Sequence, residues 1–231
     1  MQDFSGILLT ALQLIIQLQP DLIEIVTLSL KVTITAVVIS TIISIPLGTL
    51  LGSYRFTGRD FITGVLNAFM GLPPVVVGLA LYLVLSRSGP LGDLNLLFTS
   101  TAMIIAQCIL ITPIISSLTQ QTIEDLHNTH KEQFKALGAP TYLTLLPMVR
   151  DARVSLFTAV LAGFGRASAE VGAVLIVGGN INHVTRVMTT TIALETSKGN
   201  LELAMALGII LLAISFTITS LMIVVRKSQT I

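Results

Sequence analysis

Apolar residues occur along this chain in long, nearly unbroken blocks, with polar residues confined to the gaps. Crossing a bilayer takes about 20 mostly apolar residues per helix, because every backbone polar group must be satisfied within the segment. Five blocks reach that length, at residues 22–51, 61–85, 99–118, 154–177 and 201–225. A shorter apolar block, residues 4–18, carries Gln13 and Gln17 and reads as a peripheral helix at the membrane interface. No basic residue precedes it, which argues against a signal peptide. The long polar gap falls at residues 119–153. The pattern predicts an all-α polytopic membrane protein: five transmembrane helices, a short N-terminal peripheral helix and one transmembrane domain over residues 1–231.

Composition agrees with the pattern. Of 231 residues, 53% are hydrophobic and 11% charged, and the mean hydropathy is +0.89, whereas a soluble domain carries roughly a quarter charged residues. A net charge of +1 with no basic run argues against nucleic acid as a partner. The single Cys108 excludes a disulfide framework and a thiol metal cluster, and packing is its expected role.

The placement of lysine and arginine sets the orientation. With the N-terminus outside, the inner segments hold Arg55, Arg59, Lys131, Lys135, Arg150, Arg153, Arg226 and Lys227, and the outer ones Arg87, Arg186 and Lys198. Lys31 and Arg166 fall within spans; Lys31, nearer a helix end, reads as a snorkelling anchor. The excess inside puts the 119–153 segment and the C-terminus in the cytoplasm, where ATP is.

Within that segment, Thr129 to Leu137 is helix-compatible, with Phe134 and Leu137 on one side and Lys131 and Lys135 on another. Gly138 stops this helix, Pro140 suits the first turn of a second, and Tyr142, Leu145 and Leu146 supply the second with an apolar face. The product is a helix-turn-helix elbow, short enough to need a partner for stability. On these grounds alone it reads equally as a connector lying on lipid headgroups.

Glu132 followed by Ala136-Leu137-Gly138-Ala139 resembles the cytoplasmic coupling motif of ABC importer permeases, a Glu-Ala-Ala triplet with a glycine six residues after the glutamate. Gln133 and Phe134 stand where that motif has its alanines, Arg150 and Asp151 where it has Leu-Pro, and a Leu146-Pro147 pair comes one turn early. Three further segments sharpen the likeness: Gly71-Leu72-Pro73-Pro74-Val75-Val76-Val77-Gly78; Ser86-Arg87-Ser88-Gly89-Pro90-Leu91-Gly92; and Ala162-Gly163-Phe164-Gly165-Arg166 running on to Glu170-Val171-Gly172-Ala173. Together they resemble the permease subunit of tungstate ABC importers, with molybdate and sulfate permeases as near relatives. The resemblance implies a type I importer permease fold in the cell membrane of a bacterium or archaeon. It further implies a homodimeric pore, two cytoplasmic ATPase subunits that bind the ATP and Mg²⁺, and an external substrate-binding protein. Glu132, Phe134, Ala136, Leu137, Gly138 and Ala139 are then expected to couple the pore to the ATPase, whose groove receives the motif.

Pro73 and Pro74 sit near the midplane of the second block and remove the bonds that would satisfy the carbonyls of Phe69 and Met70, so the helix must kink or break. One reading is a packing kink. The other is a half-helix starting near Pro74, with Gly78 on it, whose free N–H groups face a passing oxyanion. Arg166 and Glu170 stand four residues apart on the fourth block, where charges are costly unless paired or facing a polar cavity. They form a structural lock if they pair, and a gate or anion contact if Glu170 turns to another helix. The small-residue run Gly163, Gly165, Ala167, Ser168, Ala169, Gly172 and Ala173 suits close helix approach near the pore. Outside, Arg87 lies beside Ser86 and Ser88, and Arg186 and Lys198 flank a short surface or re-entrant helix; together they make an anion-tolerant rim, though each alone reads as a solvated charge.

His127 and His130 lack a third ligand and read as solvated, so no metal site is expected, and His183 reads as a titrating surface residue. No G-x-S-x-G, H-E-x-x-H or Walker sequence occurs, so the chain is not expected to be an enzyme, to bind ATP by a P-loop or to carry a cofactor. The competing class is an ion-coupled secondary transporter, which calls for repeats with acidic ligands in both halves. Five blocks do not divide that way, and Glu170 has no counterpart in the first three.

Overall fold

The structure, a computed structural model, describes residues 4–17, 19–136, 138 and 140–228. Among them the chain is helical, in the order α1 (Phe4–Ile16), α2 (Pro20–Ser53), α3 (Arg59–Met70), α4 (Pro74–Leu85), a 3₁₀ turn (Gly92–Leu94), α5 (Ser100–Ala136), α6 (Thr141–Asp151), α7 (Arg153–Ser168), α8 (Gly172–Gly178), α9 (Met188–Lys198) and α10 (Leu201–Ser228). Three helices, α2, α5 and α10, are long and apolar enough to cross a membrane, and the number rises to five if α3–α4 and α7–α8 each count as one broken span. The apolar blocks therefore map onto the helices, with two departures. The second and fourth blocks are each split in two, and the first arm of the elbow is the tail of α5, continuous through Ala136.

The described chain forms two compact units. One draws on the chain up to Thr35, on Pro73–Gln107 and on Ser168–Leu221; the other on Ala36–Leu72, Cys108–Ala167 and the end of α10 from Met222. In the first, α1 packs Ala11 against Leu22 and Ile25 of α2, Met188 of α9 and Ala206 and Leu207 of α10. Close van der Waals packing of these side chains docks α1, too short to be stable alone. The Ser29 hydroxyl of α2 accepts a hydrogen bond from the Met188 N–H at 2.6 Å, fixing the start of α9.

At the other end of α9, Lys198 Nζ donates to Glu195 Oε1 at 2.9 Å and Asn200 Nδ2 to Glu195 Oε2 at 2.8 Å. The Lys198 bond holds the Glu195 carboxyl below the ordinary carboxylate value of 4.5; burial opposes it and the Asn200 bond adds to it. A depressed folded pKa gives stability that is full above the unfolded value and lost as pH falls through the folded one. Thermal unfolding of Glu195→Gln should therefore fall below wild type at neutral pH, with the gap closing once the pH drops under 4.5. A gap independent of pH would show that the carboxylate contributes nothing as an anion.

The second unit is built on α2 against α5. Ala36, Ser40, Ser44, Gly48 and Gly52 recur every four residues along one face of α2. Small residues at this spacing let helix backbones approach closely. Cys108 Sγ donates to Ala36 O at 3.5 Å and Ser44 Oγ to Thr112 O at 3.0 Å. A Cβ on Gly48 would lie 2.6 Å from Ser116 O, and one on Gly52 would lie 2.8 Å from Gln120 O. α7 joins this unit through Gly163, where a Cβ would come within 2.7 Å of Ile115 Cδ1.

Candidate functional site

The elbow is positioned from the second unit. Ile123 of α5 forms a buried apolar cluster with Met148 and Ala152 after the turn and Leu156 of α7, and Phe134, Leu126 and Val149 pack against it. Phe134 thus anchors the end of α5, with the His130 ring 5.9 Å from its own. Glu132 and Gln133 are exposed. The backbone of Ala136 closes α5, while Leu137 and Ala139 lie outside the described residues. Gly138 turns the chain at φ +61°, a left-handed conformation that L side chains rarely adopt, and open space surrounds it. Pro140 stands as the N-cap of α6, one position earlier than the first-turn place expected for it.

α6 carries apolar side chains on two faces. Thr144 and Met148, four apart, are buried, whereas Tyr142 (66% exposed), Leu143 (58%) and Leu146 (77%) project outward. Of the apolar face expected from Tyr142, Leu145 and Leu146, Tyr142 and Leu146 are exposed together with Leu143, and Leu145 is half-buried. Gly138 and Glu132, on the same elbow, are exposed as well.

A second cluster lies in the first unit, where α4 meets α8. A Cβ on Gly78 would sit 2.8 Å from Ala173 Cα, and one on Gly172 would sit 2.9 Å from Val75 Cγ2, so the two helices touch nearly backbone to backbone. The helix break expected at Pro73 and Pro74 is present, and the two prolines, Gly78 and Glu170 belong to one neighbourhood. The expected row of free N–H groups is not. Neither proline has an N–H to offer, and Pro73 O accepts from Val76 N at 3.0 Å and Val77 N at 3.3 Å. That leaves the Val75 N–H as the remaining donor of the opening turn, too little for a cradle of several donors.

Arg166 and Glu170 are separated by a second break, since α7 ends at Ser168 and α8 begins at Gly172. The expectation that they share one face of a continuous helix is corrected on this point. Glu170, 3% exposed, accepts a hydrogen bond from the Ala173 N–H at 3.0 Å, and its carbonyl oxygen accepts from Thr189 Oγ1 at 2.8 Å. A buried carboxylate that accepts from the first turn of a helix satisfies an orphan donor and favours the positive end of the helix dipole.

The residues expected at the outer mouth separate into two places. Arg87 is exposed on the wall of an open cavity of ≈ 590 Å³ that Ser86, Ser88, Tyr82, Asn95 and Phe98 also line. Arg186 donates from Nη1 to Asn182 Oδ1 at 3.0 Å and shares a small pocket with Asp21 and Glu24. His183, also there, lies 2.8 Å from Glu24 Oε2. Asp21 and Glu24 beside Arg186 offset its charge, and Arg87 lines a different cavity, so the two arginines do not line one anion-tolerant rim.

One group carries no sequence signal. Glu124 of α5 receives Arg55 Nη2 at 2.6 Å and Arg59 Nη2 at 2.5 Å, one on each carboxylate oxygen. Arg59 is 6% exposed and also donates from Nε to Leu51 O at 2.7 Å. The partners are 65 and 69 residues apart in the chain, so no periodicity links them; the only hint is an acidic residue in a helix extending an apolar block. Among the described residues no group of three metal-ligating side chains occurs.

The family described as "Binding-protein-dependent transport system inner membrane component" matches residues 44–229. A probable anion ABC transporter permease protein of Haloferax volcanii is 44% identical over 206 residues, covering 87% of this chain and 88% of the relative. The tungstate uptake system permease protein TupB of Peptoclostridium acidaminophilum is 41% identical over 210 residues, 91% of this chain and 92% of the relative. The protein of the same name from Campylobacter jejuni is 39% identical over 163 residues, 71% of this chain and 68% of the relative.

Proposed function

This chain belongs to the family of binding-protein-dependent transport system inner membrane components, and from that premise we propose that it is the permease subunit of an ATP-driven oxyanion importer whose cargo is tungstate. The observation that carries the reading is the 41% identity to a tungstate uptake permease over nearly the whole chain. The exposed elbow supports it, since a membrane pore with an apolar surface beside Gly138 has a place for a soluble partner to push. In this reading two copies of the chain enclose the pore, with the N-terminus outside and the elbow in the cytoplasm of a bacterial or archaeal cell. A pair of ATPase subunits binds ATP and Mg²⁺ and grips the elbows, and an external binding protein delivers the anion. Closure of the ATPases displaces the elbows as rigid bodies and switches the pore between its two openings. Arg87, exposed at an outer cavity, is placed to meet an anion or the protein that brings it. Selection among tetrahedral anions of equal charge falls to the binding protein.

The test is uptake in liposomes holding the chain with its ATPase, supplied with binding protein and tungstate. Tungstate should accumulate only with ATP inside, molybdate should compete better than sulfate, and collapse of ion gradients by ionophores should leave uptake intact. Uptake that follows an ion gradient, with no ATPase co-assembled, would overturn the reading.

A further inference from the structure

The clamp on Glu124 is not used by the elbow's docking surface, yet it lies on the same helix and beside the same packing. Glu124 follows Ile123, the fully buried residue against which Met148 of the elbow packs. It stands 12 residues before the end of α5 at Ala136, about 18 Å along the helix at 1.5 Å per residue. On its other side the carboxylate holds two guanidiniums from the α2–α3 connection: Arg55, in the linker, and Arg59, the first residue of α3. Arg59 in turn is tied to the last turn of α2 through Leu51 O and stands 3.5 Å from Asp60. All these residues belong to the second unit.

Apolar contacts such as those around Ile123 are non-directional and tolerate sliding, whereas a carboxylate that accepts from two guanidiniums fixes distance and angle. Burying Arg59 carries a desolvation cost that an apolar pair of similar volume would not, so the clamp is weak evidence for stability and better evidence for a fixed register. α3 leads directly to the break at Gly71–Pro73. We propose that Glu124 is a positioning residue for transport: with Arg55 and Arg59 it locks the α2–α3 connection to α5, so that a displacement of the elbow is passed to α3 rather than absorbed in the connection. The inference rests on the reading of the elbow as the ATPase contact.

The experiment measures tungstate uptake and ATP hydrolysis together in liposomes holding the complete transporter. For Glu124→Gln, complex yield and basal hydrolysis should stay within about twofold of wild type while tungstate moved per ATP falls about tenfold, as expected for loss of a coupling free energy between sites. Arg55→Gln removes only one arm of the clamp, and its side chain is 65% exposed, so the fold does not depend on it. Its transport per ATP should drop about threefold at unchanged complex yield. If Glu124→Gln does not assemble, the Arg55→Gln ratio alone decides, an unchanged value counting against the clamp. A wild-type ratio in both variants reduces the clamp to a local staple and overturns the proposal. Wild-type liposomes without ATP-driven uptake would instead sink the importer reading, and the clamp's role with it.

Discussion

Gly138→Asp should abolish tungstate uptake while leaving the chain folded in the membrane. The turn at φ +61° has nothing within 4 Å of a Cβ on Gly138, so an aspartate fits in space. The left-handed conformation costs an L residue roughly 1–2 kcal/mol, and less for aspartate, whose short side chain bonds locally. The anchors of the elbow, Phe134 and Met148, are untouched. What changes is the surface: an unpaired carboxylate enters a contact that Tyr142, Leu143 and Leu146 make partly apolar. Leaving such a charge buried and uncompensated costs about 3–5 kcal/mol, which at about 1.4 kcal/mol per decade is a loss of 100-fold or more in affinity for the ATPase. Gly138→Ala, with the strain but no charge, should lose about 30-fold at most by the same conversion. Co-purification of the ATPase with each variant measures this directly. An aspartate variant that brings down as much ATPase as wild type would mean the turn is not at the contact.

The second large effect is expected at the helix seam. A leucine at position 48 would place its Cβ 2.6 Å from both Ser116 O and Thr119 Cβ, and the first of these is backbone that cannot rotate away. Overpacking a tight site costs typically 1–3 kcal/mol, and here α2 must also separate from α5, breaking the Ser44–Thr112 bond. A loss of about 3 kcal/mol corresponds to an apparent Tm about 10 °C lower for a chain of this size. Gly64→Leu is the control, because nothing lies within 4 Å of its Cβ, and its Tm should match wild type. Thermal unfolding in detergent separates the cases, and equal Tm values for both variants would mean the α2–α5 contact is looser than described.

The elbow at Gly138 illustrates what was readable and what was not. Its turn was legible at Gly138, and an apolar face with Tyr142 and Leu146 on it, because both follow from residue type and helical spacing; that this face is exposed came from the structure. The direction of Phe134 was not, since facing inward depends on Ile123, Met148 and Ala152 arriving from other parts of the chain. The shared helix face expected for Arg166 and Glu170 failed for the same kind of reason: four-residue spacing implies one face only while the helix continues, and it stops at Ser168. The prolines at 73 and 74 announced a break correctly, but their own missing N–H groups and the acceptance of two bonds by Pro73 O leave little of the anion cradle that a helix start ordinarily offers.

The sequence by itself determined the number and order of apolar segments, the break at Pro73-Pro74, the turn at Gly138 and membership of a permease family. The first three rest on local chemistry: the length of an apolar run, a ring that removes a donor, a backbone angle open to glycine; family membership rests on likeness over most of the chain. Only the tertiary structure decided that Glu124 grips Arg55 and Arg59, that Gly48 must stay small against Ser116, and that Glu170 caps α8. The first two pairings join residues more than 60 positions apart, and the third depends on where a helix breaks. Neither the partner of a distant side chain nor the gap between two helix backbones has a period along the chain; both are fixed by packing, once every segment has found its neighbours.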